Sequence, residues 1–415
     1  MVRKDKMYRI PGISLLFLLG IGISNIGDWI YLIAYNLIIL NKTGDPLAVA
    51  ALYMLKPVAV LVTNGWAGSM VDRMNKKKLM IVLDSFRGLL LLVLPIFTSL
   101  AGIYFTVLLI NMASAIFYPA SLAYITKLIP EGDRHRFNAL RSLMDSGAFL
   151  IGPALAGLLL MTGPPLIAVY LNGITFIFSA VITLLLPDLE NKRTIPQREK
   201  RIGFSELKAD WKLVRYFSIK RKFVFRIYMI FSSVIVMTAA IDSLEAAFAT
   251  QELLLSDFWY GVLVSVAGGG IIVGAIINTL LADWMKPLGL IGAGSVSLGA
   301  GYLVYAFSSD FLFAGIGFFI LSFSLAFADT GFTSFIQKEV PVELLGRISS
   351  IYGLAESLLI LFFTGAFGLF GQVLSVRSIV VTGSVILFIL SLVLFIQTFK
   401  SPIGKNVRAK RTASS

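Results

Sequence analysis

A small set of ionisable side chains sits inside long apolar stretches of this sequence: Asp28, Lys56, Asp84, Arg87, Asp145, Asp242, Glu245, Asp329 and Glu356. Such groups cost several kcal/mol in hydrocarbon, so those that persist face a bundle interior or a wet cavity. A carboxyl there holds protons near neutral pH, attracts cationic ligands, or pairs with a cation to fix packing. Other chemistries drop out early. There are no cysteines, hence no disulfide, thiolate nucleophile or Cys-ligated metal. The single histidine, His135, lies in a charged loop, where it is expected to be solvated. No Walker-type Gly-rich Lys loop occurs. The charged residues are spread along the chain, with no nucleophile–base or metal-ligand cluster. An enzyme is therefore not expected.

Asp28 is the strongest candidate. At the helical period Asn25, Trp29, Leu32 and Asn36 project within the same broad face. Lys56 lies at comparable depth in the next apolar stretch. Two readings stand: Asp28 binds protons or a cationic substrate in a cavity, or Asp28 and Lys56 form a buried pair that only fixes packing. Asp242 and Glu245, three apart, share one helical face and a similar role. Asp84 and Arg87 have the same spacing, close to a basic loop, which predicts an ion pair. Asp145 and Glu356 each follow an arginine, Arg136 and Arg347, by nine residues. That symmetry predicts paired gate salt bridges. Asp329 takes no assignment.

The elements that position these residues follow from composition. Of 415 residues, 57% are hydrophobic and 14% charged, and the mean hydropathy is +0.85. The apolar runs fall at 11–40, 47–70, 79–99, 103–126, 137–160 and 166–187, then at 223–250, 258–282, 288–307, 311–336, 344–370 and 378–399. Each is long enough for a membrane-spanning helix, which needs about 20 residues to cross about 30 Å. In lipid such runs are helical, because a free backbone amide finds no partner. The first run is too long for a signal h-region and lacks a small-residue cleavage pattern, so it reads as a retained span.

Basic residues cluster in alternate loops: the N-terminal group, Arg73 and Lys76 to Lys78, Lys127 with Arg134 and Arg136, the central linker, Lys286, Lys338, Arg347 and the tail. The opposite loops hold only Lys42 and Arg377. This bias predicts that both termini and the linker are cytoplasmic. It also accounts for the net charge of +13 without nucleic acid. The linker, 188–222, reads either as an amphipathic helix on the inner membrane face, through Phe204, Leu207, Trp211 and Val214, or as a partly ordered tether. The expected domains are 1–187, a linker at 188–222, 223–400, and a tail at 401–415.

At a constant offset of 211 residues Asp72 aligns with Asp283, Lys127 with Lys338, Pro130 with Pro341, Arg136 with Arg347, Asp145 with Glu356 and Gly157 with Gly368. Two six-helix halves of like orientation are implied, with a binding site between them near the bilayer midplane.

The loop Gly68-Ser-Met-Val-Asp72-Arg73-Met-Asn-Lys76-Lys77-Lys78 resembles the signature loop of the major facilitator superfamily. Gly147 and the run Gly152-Pro153-Ala-Leu-Ala156-Gly157 resemble that superfamily's antiporter motif, which implies export. Asn25-Ile-Gly27-Asp28-Trp29, Asp84-x-x-Arg87 and the run ending at Asn138 are similar to its bacterial macrolide-efflux and siderophore-exporter branch. The second copy of the signature loop is degenerate: Asp283 remains, Thr279 replaces the glycine, and Lys286 is the one base. Many proton-coupled exporters place an arginine in the fourth helix; here 103–126 holds Asn111 and Pro119 instead.

The resemblance implies an all-α fold of twelve transmembrane helices in two pseudo-symmetric bundles. It also implies a monomer in the cell inner or plasma membrane, surrounded by lipid and with no bound cofactor. The function expected is secondary active export of a small amphipathic or cationic compound by alternating access, in exchange for protons. An importer or lysolipid transporter on the same fold is the first alternative. A non-transporting membrane sensor or scaffold is the second.

Overall fold

The computed structural model describes residues 12–64, 66–67, 70–71, 74–129, 134–190, 204–280 and 286–400. The N-terminal basic cluster, Gly68, Asp72, Arg73, Asp283, residues 191–203 of the linker and the tail lie outside them, as do the side chains of Arg136, Pro153 and residues 204–210. Among the described residues the chain is helical throughout, with no strand. The first six helices are α1 (Gly12–Thr43), α2 (Pro46–Asn64), α3 (Lys76–Val93), α4 (Leu100–Leu128), α5 (Arg134–Thr162) and α6 (Leu166–Leu185). After α7 (Phe204–Lys220) come α8 (Lys222–Asp242), α9 (Asp257–Leu280), α10 (Pro287–Ala306), α11 (Phe311–Glu339), α12 (Val342–Val373) and α13 (Val376–Phe399). Eleven of these are long and apolar enough to cross a membrane. With α5, whose apolar part is Gly147–Leu159, they make the twelve spans of an all-α membrane protein.

Polar residues set the helix ends. Asn75 accepts from the Lys78 amide (3.0 Å) to open α3, and Asp310 from the Phe313 amide (2.9 Å) to open α11. Each side chain satisfies a donor that the first helical turn leaves orphaned. Gly44 closes α1 at φ +64°, its amide reaching the Leu40 carbonyl at 2.7 Å. A left-handed residue there suits glycine. Pro46 then starts α2 one residue after Asp45.

The structure departs from the expected spans in two ways. Helices α4, α5, α11 and α12 run on past their apolar runs into charged sequence, since continuing the helix keeps backbone groups paired where hydrocarbon ends. The expected single span at 223–250 is broken. Helix α8 stops at Asp242, a three-residue turn Glu245–Ala247 follows, and Phe248–Glu252 winds as a π-helix. Asp242 and Glu245, the ionisable residues of this part of the stretch, flank the break.

The chain divides into two compact units. One holds Met1–Gly44, Ala51–Glu199 and Asp257–Ser265; the other holds Asp45–Ala50, Lys200–Ser256 and Val266–Ser415. Glycine explains the short pieces that depart from a simple split in the linker. In the first unit, a Cβ on Gly157 would lie 3.0 Å from the Phe258 carbonyl oxygen and 3.4 Å from Gly261 Cα. In the second, a Cβ on Gly368 would lie 2.8 Å from Leu47 and 2.9 Å from Ala50. Leu47 and Phe258, like Ala50 and Gly261, are separated by the same 211-residue offset as the two glycines. The repeat is thus written in packing as well as in charge.

Small residues also bring α10 and α11 backbone to backbone. A Cβ on Gly301 would lie 2.5 Å from the Leu321 amide nitrogen, and one on Gly317 2.6 Å from that of Tyr305. Without a hydrophobic drive between helices in lipid, such close approach supplies the attraction. Gly301→Val is expected to destabilise the protein by about 2 kcal/mol through overpacking, read as a lowered thermal midpoint in detergent, while Gly289→Ala, at a site with open space, leaves the midpoint unchanged.

Candidate functional site

In the first unit, α6 carries Asn172, Thr175 and Ser179 at helical spacing, with Thr183 beyond them. Asn172, fully buried, donates through Nδ2 to Asp28 Oδ1 at 3.2 Å. Thr175 Oγ1 donates to the Asn172 carbonyl (2.8 Å) and to its Oδ1 (3.1 Å). Gly27 makes room for this: a Cβ there would fall 2.3 Å from Asn172 Oδ1. Asp28 is half-buried and has no cation within ion-pair distance among the described residues.

Seven residues along α6, Ser179 Oγ donates to Asp84 Oδ2 at 2.8 Å. Asp84 is also paired with Arg87, and both are buried. The Arg87 guanidinium lies between the rings of Phe117 (4.4 Å) and Phe176 (4.1 Å) and donates to Ser114 Oγ at 3.1 Å. Asp84 and Arg87 neutralise one another, as their spacing predicts.

The broad face read on α1 is shared among three partner helices rather than gathered at one site. Asn25 donates to Asp145 on α5 (2.5 Å). Trp29 stacks edge-on against Phe149 of α5 at 4.4 Å, over Gly152, where a Cβ would meet Trp29 Cβ at 2.5 Å. Asn36 donates to the Tyr53 hydroxyl on α2 at 3.2 Å. Residues 25 and 36 share an azimuth but lie about 16 Å apart along the axis, a separation that angular reading ignores. Lys56 is exposed on α2 and forms no ion pair with Asp28 among the described residues. Gly147 faces open space rather than a packed helix.

In the second unit, Asp242 accepts from the Tyr302 hydroxyl at 2.8 Å. The break after Asp242 removes the simple one-face relation with Glu245. Glu356 accepts from Ser232 Oγ at 2.6 Å. Asp145 and Glu356, where the spacing predicts gate salt bridges, each accept from a neutral donor on the first span of their own half, and the Arg136 side chain lies outside the described residues. A short polar donor reaches across a helix seam without a second charge to desolvate. Arg347 and Asp329 are exposed.

The basic end of α3 is held by the chain's own acids. Glu190 pairs with Lys76 and Lys127, each at 3.2 Å. Asp188 accepts from Asn75 Nδ2 at 2.9 Å, and Lys77 Nζ donates to the carbonyls of Leu184 (2.9 Å) and Leu186 (2.5 Å). Burial pushes the Glu190 carboxyl up, but the lysine contacts outweigh it and hold it below the ordinary glutamate value. The Asn75 hydrogen bond, with the Glu190 amide, holds Asp188 below the ordinary aspartate value.

Sequence reasoning missed Asn172, Thr175, Ser179, Tyr302, Ser232 and Glu190. For the α6 residues a signal existed, three polar groups at helical spacing within one span. Tyr302 and Ser232 are ordinary residues for a span, and only proximity reveals them. Among the described residues there is no group of His, Asp or Glu that would hold a metal ion.

A family model described as Major Facilitator Superfamily matches residues 17–364. An uncharacterised MFS-type transporter of Bacillus subtilis, YfiS, is 24% identical over 79% of this chain and 79% of its own. Macrolide efflux protein A of Streptococcus pyogenes is 23% identical over 82% of this chain and 84% of its own. A crystal structure of a bacterial homologue of the human lysosomal transporter Spinster superposes with a TM-score of 0.72 at 13% identity, over 95% of this chain and 98% of that one.

Two outcomes follow from the geometry. Asp84→Asn leaves Arg87 buried without its counter-ion and is expected to destabilise by about 3–5 kcal/mol, whereas Asp84→Leu/Arg87→Met recovers most of that loss in the same thermal-shift assay. Because folding lowers the Glu190 and Asp188 carboxyls, their stabilisation is complete above the carboxylate range and is lost as pH falls through it. The protection factor of amides at the start of α3, corrected for the intrinsic exchange rate at each pH, is therefore expected to be steady from about pH 6 to 8 and to fall below about pH 4, and to be lower in Glu190→Gln at neutral pH.

Proposed function

The chain belongs to the Major Facilitator Superfamily, and we propose that this transporter is an export-type member that moves a small amphipathic or cationic compound in exchange for protons. The observation that carries the reading is shared by Asp28 and Asp242. Each is a carboxyl within a span that accepts from one neutral donor, Asn172 or Tyr302, with no cation within ion-pair distance among the described residues. A carboxyl so held takes up a proton without abandoning a buried counter-charge. Asp84, bound to Arg87 and Ser179, lacks that freedom and serves packing.

Export is supported by relatives that include a macrolide efflux protein, and by Gly152 and Gly157, which give α5 close seats on other helices. Alternating access is the mechanism, in the cell membrane with both termini cytoplasmic. On that topology the Glu190 and Asp188 clamp on Lys76, Lys77 and Lys127 is a cytoplasmic latch. The protein works as a monomer and without a cofactor.

Reconstitution tests the coupling. In proteoliposomes under an imposed pH gradient, cationic amphiphilic dyes and macrolides are expected to move outward at a rate that collapses about tenfold or more when the gradient is dissipated, or in Asp28→Asn. Movement that ignores both treatments would remove proton exchange. Accumulation in place of efflux would reverse the direction.

A further inference from the structure

We infer that the groove between α7, α8 and α12 is a binding site for one anionic phospholipid. The groove belongs wholly to the second unit and encloses about 810 Å³, within the range of roughly 300–1,000 Å³ that small-molecule sites occupy. Its walls are apolar, with Val214, Phe225, Met229, Ile230 and Ile351 among the lining residues. Its charged lining is of one sign: Arg215, Lys222 and Arg226, with no carboxylate. All three are exposed. Arg226 donates to the neutral Gln397 side chain at 3.0 Å, and Arg215 and Lys222 have no carboxylate within ion-pair distance among the described residues. An apolar slot beside three uncompensated cations fits an acyl chain joined to a phosphate.

The surroundings favour a lipid over a soluble anion. Lys222 opens the span α8 and Arg226 lies one turn in, while Arg215 stands on the helix just before it. Cations flanking the start of a span lie at headgroup depth. Trp211 and Tyr216 stand exposed on α7 at 51% and 56%, the placement of amphipathic rings at a membrane interface. Lys220 reaches back over the Tyr216 ring at 4.5 Å, its stem on apolar surface and its head toward polar headgroups. The groove has its own fixed polar wall. Ser218 and Tyr352 are hydrogen-bonded to one another, and Tyr352 packs on Phe225 (5.8 Å) and Tyr228 (4.7 Å). A lipid seated there bridges α7 to two spans and fastens the linker helix to its bundle.

Trp211 lines the groove and reports occupancy without any transport assay, so the site stands or falls apart from the export reading. The protein is placed in phosphatidylcholine nanodiscs containing rising fractions of dibrominated phosphatidylglycerol or dibrominated phosphatidylcholine. The Trp211 signal is isolated by difference from Trp211→Phe. Half-quenching is expected at an about tenfold lower mole fraction for the anionic lipid. Arg215→Gln/Lys222→Gln/Arg226→Gln is expected to bring the two lipids within about twofold, while Arg215→Lys/Arg226→Lys keeps the preference and shows that the fold is intact. Equal quenching by the two lipids, or a preference that survives the glutamine variant, overturns the site. Release of the quenching by millimolar glycerol phosphate overturns it too, in favour of a small soluble anion.

Discussion

Hydrocarbon offers a backbone amide nothing to bond, and that constraint organises everything else in this molecule. Every span is a helix, helices run on into charged sequence before they stop, and side chains such as Asn75 and Asp310 close the ends. The same constraint removes the usual cohesive force. A leucine gains little by leaving lipid for a neighbouring helix. The helices therefore meet through glycine, where backbones approach to contact, and through a few polar bonds.

The glycine contacts are specific enough to carry the internal repeat. Gly157 and Gly368 meet Phe258 and Gly261 in one case, Leu47 and Ala50 in the other, all at one offset. Duplicated sequence has kept duplicated seams, even where the charges between copies have diverged. Asp145 and Glu356 show the divergence: both keep a carboxyl and both take a neutral donor, but the donors, Asn25 and Ser232, stand at non-equivalent positions.

Polar groups in the spans sort by how fully they are neutralised. Asp84 and Arg87 form a closed pair, wrapped by two aromatic rings and two hydroxyls. Asp28 and Asp242 accept single neutral donors. On the proposed function, the first kind of charge fixes structure and the second keeps the capacity to change protonation. Outside the spans, acids at 188 and 190 gather the lysines of the neighbouring loop and tie that end of the first unit together.

The amino-acid sequence on its own determined the class, most of the spans to within a few residues, and the Asp84–Arg87 pair. Each of these depends on a local period, a composition or a short spacing, which a linear chain displays openly. Which helix answers which polar residue was decided by tertiary structure alone. Asn25, Asp28 and Asn36 look alike along α1, yet they bind α5, α6 and α2, because depth and neighbour, not azimuth, select the partner. Partners such as Asn172 and Tyr302 lie 144 and 60 residues from the acids they serve, and only folding brings such distances down to a hydrogen bond.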